Sequence, residues 1–336
     1  MSLPAETRVV GEDHHGVLLD EYLSLCWPEI AKGTLRRLVR DGVITVDGQP
    51  AKPEQRLRGD QIILLEEDWD ALAVRRHKAS DIALEVLYQD ENLLAVNKPA
   101  GLPVEPSRWG EHPVHLGQAL LAWAERQRRD DGTVEHRPRA LHRLDLGTSG
   151  VLLYALNLDA ERFYRQLFSD RQVEKVYHAL VIGEVRAPGR IDAPLEPAKL
   201  DGSMMRVAGK GGKDSLTEYE PIKRFRGYSL IEARPKTGRT HQIRVHLASI
   251  GHPLAVDTLY GGRDRMLLSE LKPGYRPKPG QPERALIDRL TLHAAAVRLP
   301  AFGGGEIAIE APYPKDLRIL LSKMEKFRRA HPSRPD

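Results

Sequence analysis

Short apolar runs of strand length, at residues 84–88, 93–97, 150–156, 177–182 and 228–233, are interleaved with helical patterns at irregular intervals, and this irregularity limits the possible fold more than any other feature. A doubly wound parallel sheet needs strict strand–helix alternation. The pattern therefore predicts an α+β protein, with a mixed, largely antiparallel sheet flanked by helices. One helix is expected over 116–129, with Leu116, Ala119, Leu120 and Trp123 on one side. A second can be capped by Asp159 and turn Phe163, Leu167 and Phe168 inward. A third spans 241–250 with Ile243, His246, Leu247 and Ile250 inward, so that Arg244 lies at the edge of the buried face, and Gly251 ends it.

A chain of 336 residues exceeds what one core usually serves, so two domains are expected. Residues 1–67, with a core over 16–67, read as a small α+β module, 68–80 as a linker, 81–322 as the larger domain and 323–336 as a frayed Arg- and Pro-rich tail. In the module, Leu18, Leu19, Tyr22, Leu23 and Cys26 recur at helical spacing. A second helix follows, with Thr34 as its expected amino-terminal cap, Leu35, Leu38 and Val39 inward and Gly42 as its stop. Lys32, Arg36, Arg37 and Arg40 fall on the other side, a cationic stripe as long as a few phosphates. Short strands flank the Asp47-Gly48 turn and follow Gly59-Asp60.

Residues 1–75 carry a net charge of −5 and the remaining 261 carry +9, within an overall +4. The basic larger part suits a polyanion such as nucleic acid. No apolar stretch reaches the roughly 18 residues of a membrane span, and Met1 to Val10 lacks a secretory pattern, so a cytoplasmic protein without membrane contact is expected. The single cysteine, Cys26, excludes an intramolecular disulfide and reads as a buried small apolar residue. Thirteen histidines include no metal-ligand spacing: His241 and His246 are five apart and His14 and His15 adjacent. Gly303-Gly304-Gly305 lacks the Lys-Ser or Lys-Thr of a phosphate-cradling loop and reads as a hairpin turn; no metal and no organic cofactor is expected.

The segment with most to say about chemistry is Leu141-His142-Arg143-Leu144-Asp145-Leu146-Gly147-Thr148-Ser149-Gly150. A carboxylate released into a Gly-Thr-Ser-Gly turn can stay charged beside a substrate, or simply bond its own backbone. Downstream stand Lys175-Val176-Tyr177 and Gly238-Arg239-Thr240-His241-Gln242-Ile243-Arg244-Val245-His246-Leu247, with Asn97-Lys98-Pro99-Ala100-Gly101-Leu102 upstream and Gly251-His252-Pro253-Leu254, Leu259-Tyr260-Gly261 and Leu292-His293-Ala294 behind.

In their order and spacing these segments resemble the RluA-type family of pseudouridine synthases, from about Ala83 to about Leu321. Two departures are Ala255-Val256-Asp257, where many members have glycine before the aspartate, and Leu146-Gly147, where many carry a charge. The resemblance implies the pseudouridine synthase fold and an isomerase that turns uridine into pseudouridine, most readily in large-subunit ribosomal RNA, with transfer RNA as the alternative. It implies Asp145 as nucleophile or base, Arg244 as the cation that binds it through two parallel hydrogen bonds, and Tyr177 against the uracil. Arg143 would fill the place of the everted base, Arg239 and Thr240 would contact phosphate at a helix start, and His142 and Leu292 would line the substrate.

The front module resembles the RNA-binding domain of bacterial small-subunit ribosomal protein four, which implies that Lys32, Thr34, Arg36, Arg37 and Arg40 meet RNA. A noncatalytic RNA-binding or ribosome-assembly protein is the competing reading, and a hydrolase using Asp145 with His142 a third. A monomer is the default.

Overall fold

The computed structural model describes residues 6–27, 32–65, 84–104, 115–126, 138–198, 204–209, 211–276 and 280–329; the expected linker at 68–80 and the end of the helix expected over 116–129 lie outside them. The chain forms two compact units, one of residues 1–83 and 105–132, the other of 84–104 and 133–336.

The first unit holds β1 (Glu6–Val9), α1 (Leu19–Cys26), α2 (Lys32–Arg40), β2 (Ile44–Val46), β3 (Gln49–Pro50), β4 (Ile62–Leu65) and α3 (Leu116–Arg126). The four strands form one sheet in the order β1-β4-β2-β3. Leu19, Leu23, Leu35, Leu38, Ile44 and Ile63 close its core. Because α2 already begins at Lys32, Thr34 is a helical residue and not the expected cap. Cys26 is half-buried and not fully enclosed.

The second unit is built on a sheet of β5 (Val86–Gln89), β6 (Leu93–Lys98), β7 (Arg139–Ala140), β8 (Ser149–Ala155), β9 (Glu174–Ile182), β10 (Gly189–Asp192), β13 (Leu216–Phe225), β14 (Tyr228–Pro235), β15 (Leu292–Pro300) and β16 (Glu306–Glu310). Its main path runs β10-β13-β14-β9-β15-β8-β6-β5. Every pairing is antiparallel except that of β15 with β8, so the sheet is mixed and mostly antiparallel, as the irregular spacing requires. A separate ribbon joins β11 (Leu195–Pro197) and β12 (Met205–Val207). The helices are α4 (Leu158–Ser169), α5 (Gln242–Ser249), α6 (Leu268–Leu271) and α7 (Lys315–Phe327).

Side chains of a strand alternate between faces. Accordingly, β9 sends Ala179 and Val181 to the cluster that contains Ile243 and Leu247 of α5, and Leu180 to the cluster that contains Leu317 and Leu320 of α7. A strand covered on both faces has no polar side, which is why 177–182 is apolar nearly throughout. Asn157 caps α4, its side chain accepting from the Ala160 amide, two residues before the expected Asp159. The burial of Met324 carries α7 past Lys323, where the tail is expected to begin. Gly303-Gly304-Gly305 forms the hairpin turn between β15 and β16.

Candidate active site

The parallel seam between β8 and β15 organises the site. Asp145 precedes β8, Tyr177 lies on β9 opposite Ala294 of β15, and Arg244 stands on α5 beyond β14. Gly150 makes the close approach possible: at φ +113°, a Cβ there would sit 2.1 Å from the carbonyl oxygen of Ala294. The Asp145 loop is held from the other side by the end of β6. The Leu146 carbonyl accepts from the Gly101 amide at 2.8 Å and from Lys98 Nζ at 3.2 Å. Lys98 is wholly enclosed, and burial lowers its ammonium to about 8, with the Asp145 charge opposing that fall and Arg289 adding to it.

Arg244 bonds two carboxylates unequally. Its Nε and Nη2 make the two parallel hydrogen bonds to Asp257, at 2.7 and 2.9 Å, and Nη1 alone reaches Asp145 Oδ2, at 3.1 Å. The expected paired grip on Asp145 is thus spent on Asp257. Asp257 also accepts from the Leu259 and Tyr260 amides, so its position is fixed by four donors. Nor does Arg244 lie at the edge of a buried face: α5 is buried over Gln242–Leu247 on every side, and the Arg244 side chain is only 5% exposed. Asp145 is 24% exposed against 0% for Asp257, and its Oδ1 has no hydrogen bond among the described residues. A carboxylate tethered by one oxygen and open at the other can attack or take a proton.

These groups line a cavity of about 590 Å³, together with His142, Arg143, Tyr177 and Leu292. Burial, and secondarily the Asp145 charge, push the Tyr177 phenol well above its ordinary value, so it keeps its proton at neutral pH. His142 is neutral, lowered to about 3 by burial and then by Lys175; its Nε2 accepts from the Leu153 amide and its ring lies 5.3 Å from that of Phe168. Such a ring holds the loop and gives a hydrolase no proton donor.

Before α5, Gln242 folds its side-chain oxygen back onto the Arg239 amide and the Thr237 hydroxyl, which takes one helix-start donor away from any phosphate. Thr240 remains exposed. His241 has a left-handed backbone, φ +55°, and its Nδ1 lies 2.9 Å from the Tyr260 hydroxyl. The ring of Tyr260 stacks against the Arg244 guanidinium, 5.0 Å from its centre. Sequence reasoning missed Asp257, Gln242 and Tyr260 as parts of the site, although all three fall within or beside the quoted motifs. In the first unit the stripe is partly committed: Arg36 and Lys32 both pair with Asp20, whose side chain is fully buried. Among the described residues no three potential ligands gather as a metal site.

Residues 92–249 match the family described as RNA pseudouridylate synthase. "Ribosomal large subunit pseudouridine synthase D" of Xanthomonas campestris is 34% identical over 95% of this chain and 92% of that protein. The chain belongs to the RNA pseudouridylate synthase family. A Pseudomonas aeruginosa protein of the same name is 33% identical over 94% of both chains. The solved human RNA pseudouridylate synthase domain containing 1 is 27% identical over 69% of this chain and 84% of that one, with a TM-score of 0.51. The fold is therefore the pseudouridine synthase fold and the protein an RNA pseudouridine synthase, an isomerase.

Proposed function

We propose that this synthase modifies specific uridines of large-subunit ribosomal RNA, with Asp145 as the nucleophile or base acting on an everted uridine. The observation that carries the catalytic part is the unequal sharing of Arg244, which leaves one oxygen of Asp145 turned toward a cavity. The target is supported by near full-length relatives named for the ribosomal large subunit.

The reaction breaks the bond between uracil nitrogen 1 and ribose carbon 1′, rotates the freed base and joins carbon 5 to carbon 1′, with the carbon 5 proton removed. A charged oxygen against the sugar or ring starts it without outside electrons. Arg244 keeps Asp145 aimed, and Asp257 keeps Arg244 from following it. Tyr177 offers a ring face to the base, and its retained proton makes the hydroxyl a donor or relay. Leu292 packs beside it at the cavity wall. A closed pocket keeps the loose base from escaping.

Everting a uridine costs a few kcal/mol, and Arg143, exposed at the rim, fills the space it leaves. Arg239 and Thr240 contact the backbone, His142 lines the entry, and the stripe of Lys32, Thr34, Arg36, Arg37 and Arg40 adds affinity for RNA. The test is pseudouridine mapping of cellular RNA with and without the protein. Large-subunit sites should disappear on deletion and return with the wild type but not with Asp145→Asn; unchanged ribosomal sites, or losses only in transfer RNA, would overturn the target.

A further inference from the structure

The cavity is larger than one pyrimidine ring needs, since a volume near 590 Å³ accommodates a drug-sized ligand. Its lining also includes Phe168, Ser169, Arg171 and Val173, none of which the reaction requires. Arg171 stands just past the carboxyl end of α4 with φ +60°, where its amide bonds back to the Phe168 carbonyl and the next amide to that of Leu167. Glycine is the residue that position favours. An arginine there holds a strained backbone while its side chain, exposed, pairs with no carboxylate among the described residues. Lys175, on the same cavity wall, likewise bonds only the Thr237 carbonyl. Beside them the half-buried Phe168 ring leans on His142. Unpaired cations next to an aromatic face, in a concave wall continuous with the reaction site, suit a phosphodiester and a stacked base.

We propose that this part of the cavity lining is a second nucleotide subsite: Arg171 binds a phosphate next to the target uridine, and Phe168 packs against the neighbouring base. The inference rests on the reading that the cavity receives the uridine at Asp145. A cation after a helix also complements the helix dipole, so the test must read RNA and not stability alone.

The substrate is total RNA from cells lacking the protein, assayed for initial rates of pseudouridine formation over a range of RNA and salt concentrations. Arg171→Gly suits the left-handed backbone and should keep or raise the melting midpoint. It is expected to raise KM roughly tenfold with kcat within about twofold, and to flatten the salt dependence by about one phosphate contact. Arg171→Lys should recover most of the salt dependence. Phe168→Leu, which keeps apolar bulk in the core, should raise KM about tenfold without altering the salt slope. If Arg171→Gly matches the wild type in KM and slope, or loses only kcat, the subsite is refuted while the proposed function stands. Product confined to transfer RNA would instead refute the ribosomal target, leaving the subsite to be judged on KM. A wild type that modifies no RNA would refute both.

Discussion

Each unit of this protein sets an arginine on a fully buried aspartate, and the two pairs do opposite things. In the first unit, Arg36 reaches Asp20 at 2.7 Å while its own side chain stays 41% exposed. A buried acid there captures a surface cation that would otherwise face solvent. In the second unit the guanidinium itself is buried, is held by Asp257, and has one nitrogen left to carry Asp145 to the cavity. The difference lies in which partner is enclosed. A buried acid with an exposed base ends as a local tether; a buried base between two acids, one fixed and one open, becomes a positioning device.

The sharpest way to break this contrast is Asp145→Asn. Pseudouridine formation should fall by at least about 10³-fold, with RNA affinity in filter binding close to that of the wild type and the melting midpoint unchanged. Retained activity would remove Asp145 from the chemistry. Next in size is Asp257→Ala, which leaves the buried Arg244 with a single acid. Breaking such a pair costs about 3–5 kcal/mol, and letting Arg244 shift should lower kcat by about 10². Denaturant unfolding and single-turnover rates would show both effects, and an unchanged rate would mean that Asp257 does not aim the site.

Smaller effects are expected in the first unit. Arg37→Ala with Arg40→Ala should reduce the salt slope of RNA binding by about two phosphate contacts, whereas Arg36→Ala should mainly lower stability, because Asp20 would lose one of its two cations. Equal slopes for the two variants would erase the distinction between tethered and free cations.

The smallest effect concerns Lys175, whose ammonium burial lowers to about 8. Between about 8 and its ordinary 10.5 the unfolded chain binds more protons than the folded one, so this residue adds stability as pH rises through that interval and none below it. Lys98, lowered similarly, shares the trend. For RNA the sign reverses: affinity should weaken severalfold from pH 7 to 9 as the charge is lost, and Lys175→Arg, always cationic, should abolish that dependence in titrations.

Much of the fold was legible because strands covered on both faces are unbroken apolar runs and because turns need particular residues, as at Gly303-Gly304-Gly305. The long strand Leu216–Phe225 was not, since polar residues such as Glu218, Glu220, Lys223 and Arg224 line it and cross-strand partners, not its own composition, make it a strand. Helix starts were misread at Thr34 and Asp159 because several residues near each start could cap, and the packing of the helix selects which one does. In the site, Asp145 and Arg244 stood out through the motifs that carry them, whereas Asp257 stood in a quoted segment with no role attached to it.

The sequence by itself determined the family, the α+β class and the residues that could bear charge at the reaction, because periodicity and residue chemistry are local and survive without a partner. Only the tertiary structure decided how those charges are shared. Hydrogen-bond angles and burial are properties of neighbours brought together across 99 and 13 positions of chain, and Arg244 meets Asp145 and Asp257 only when β8, β15 and α5 have packed.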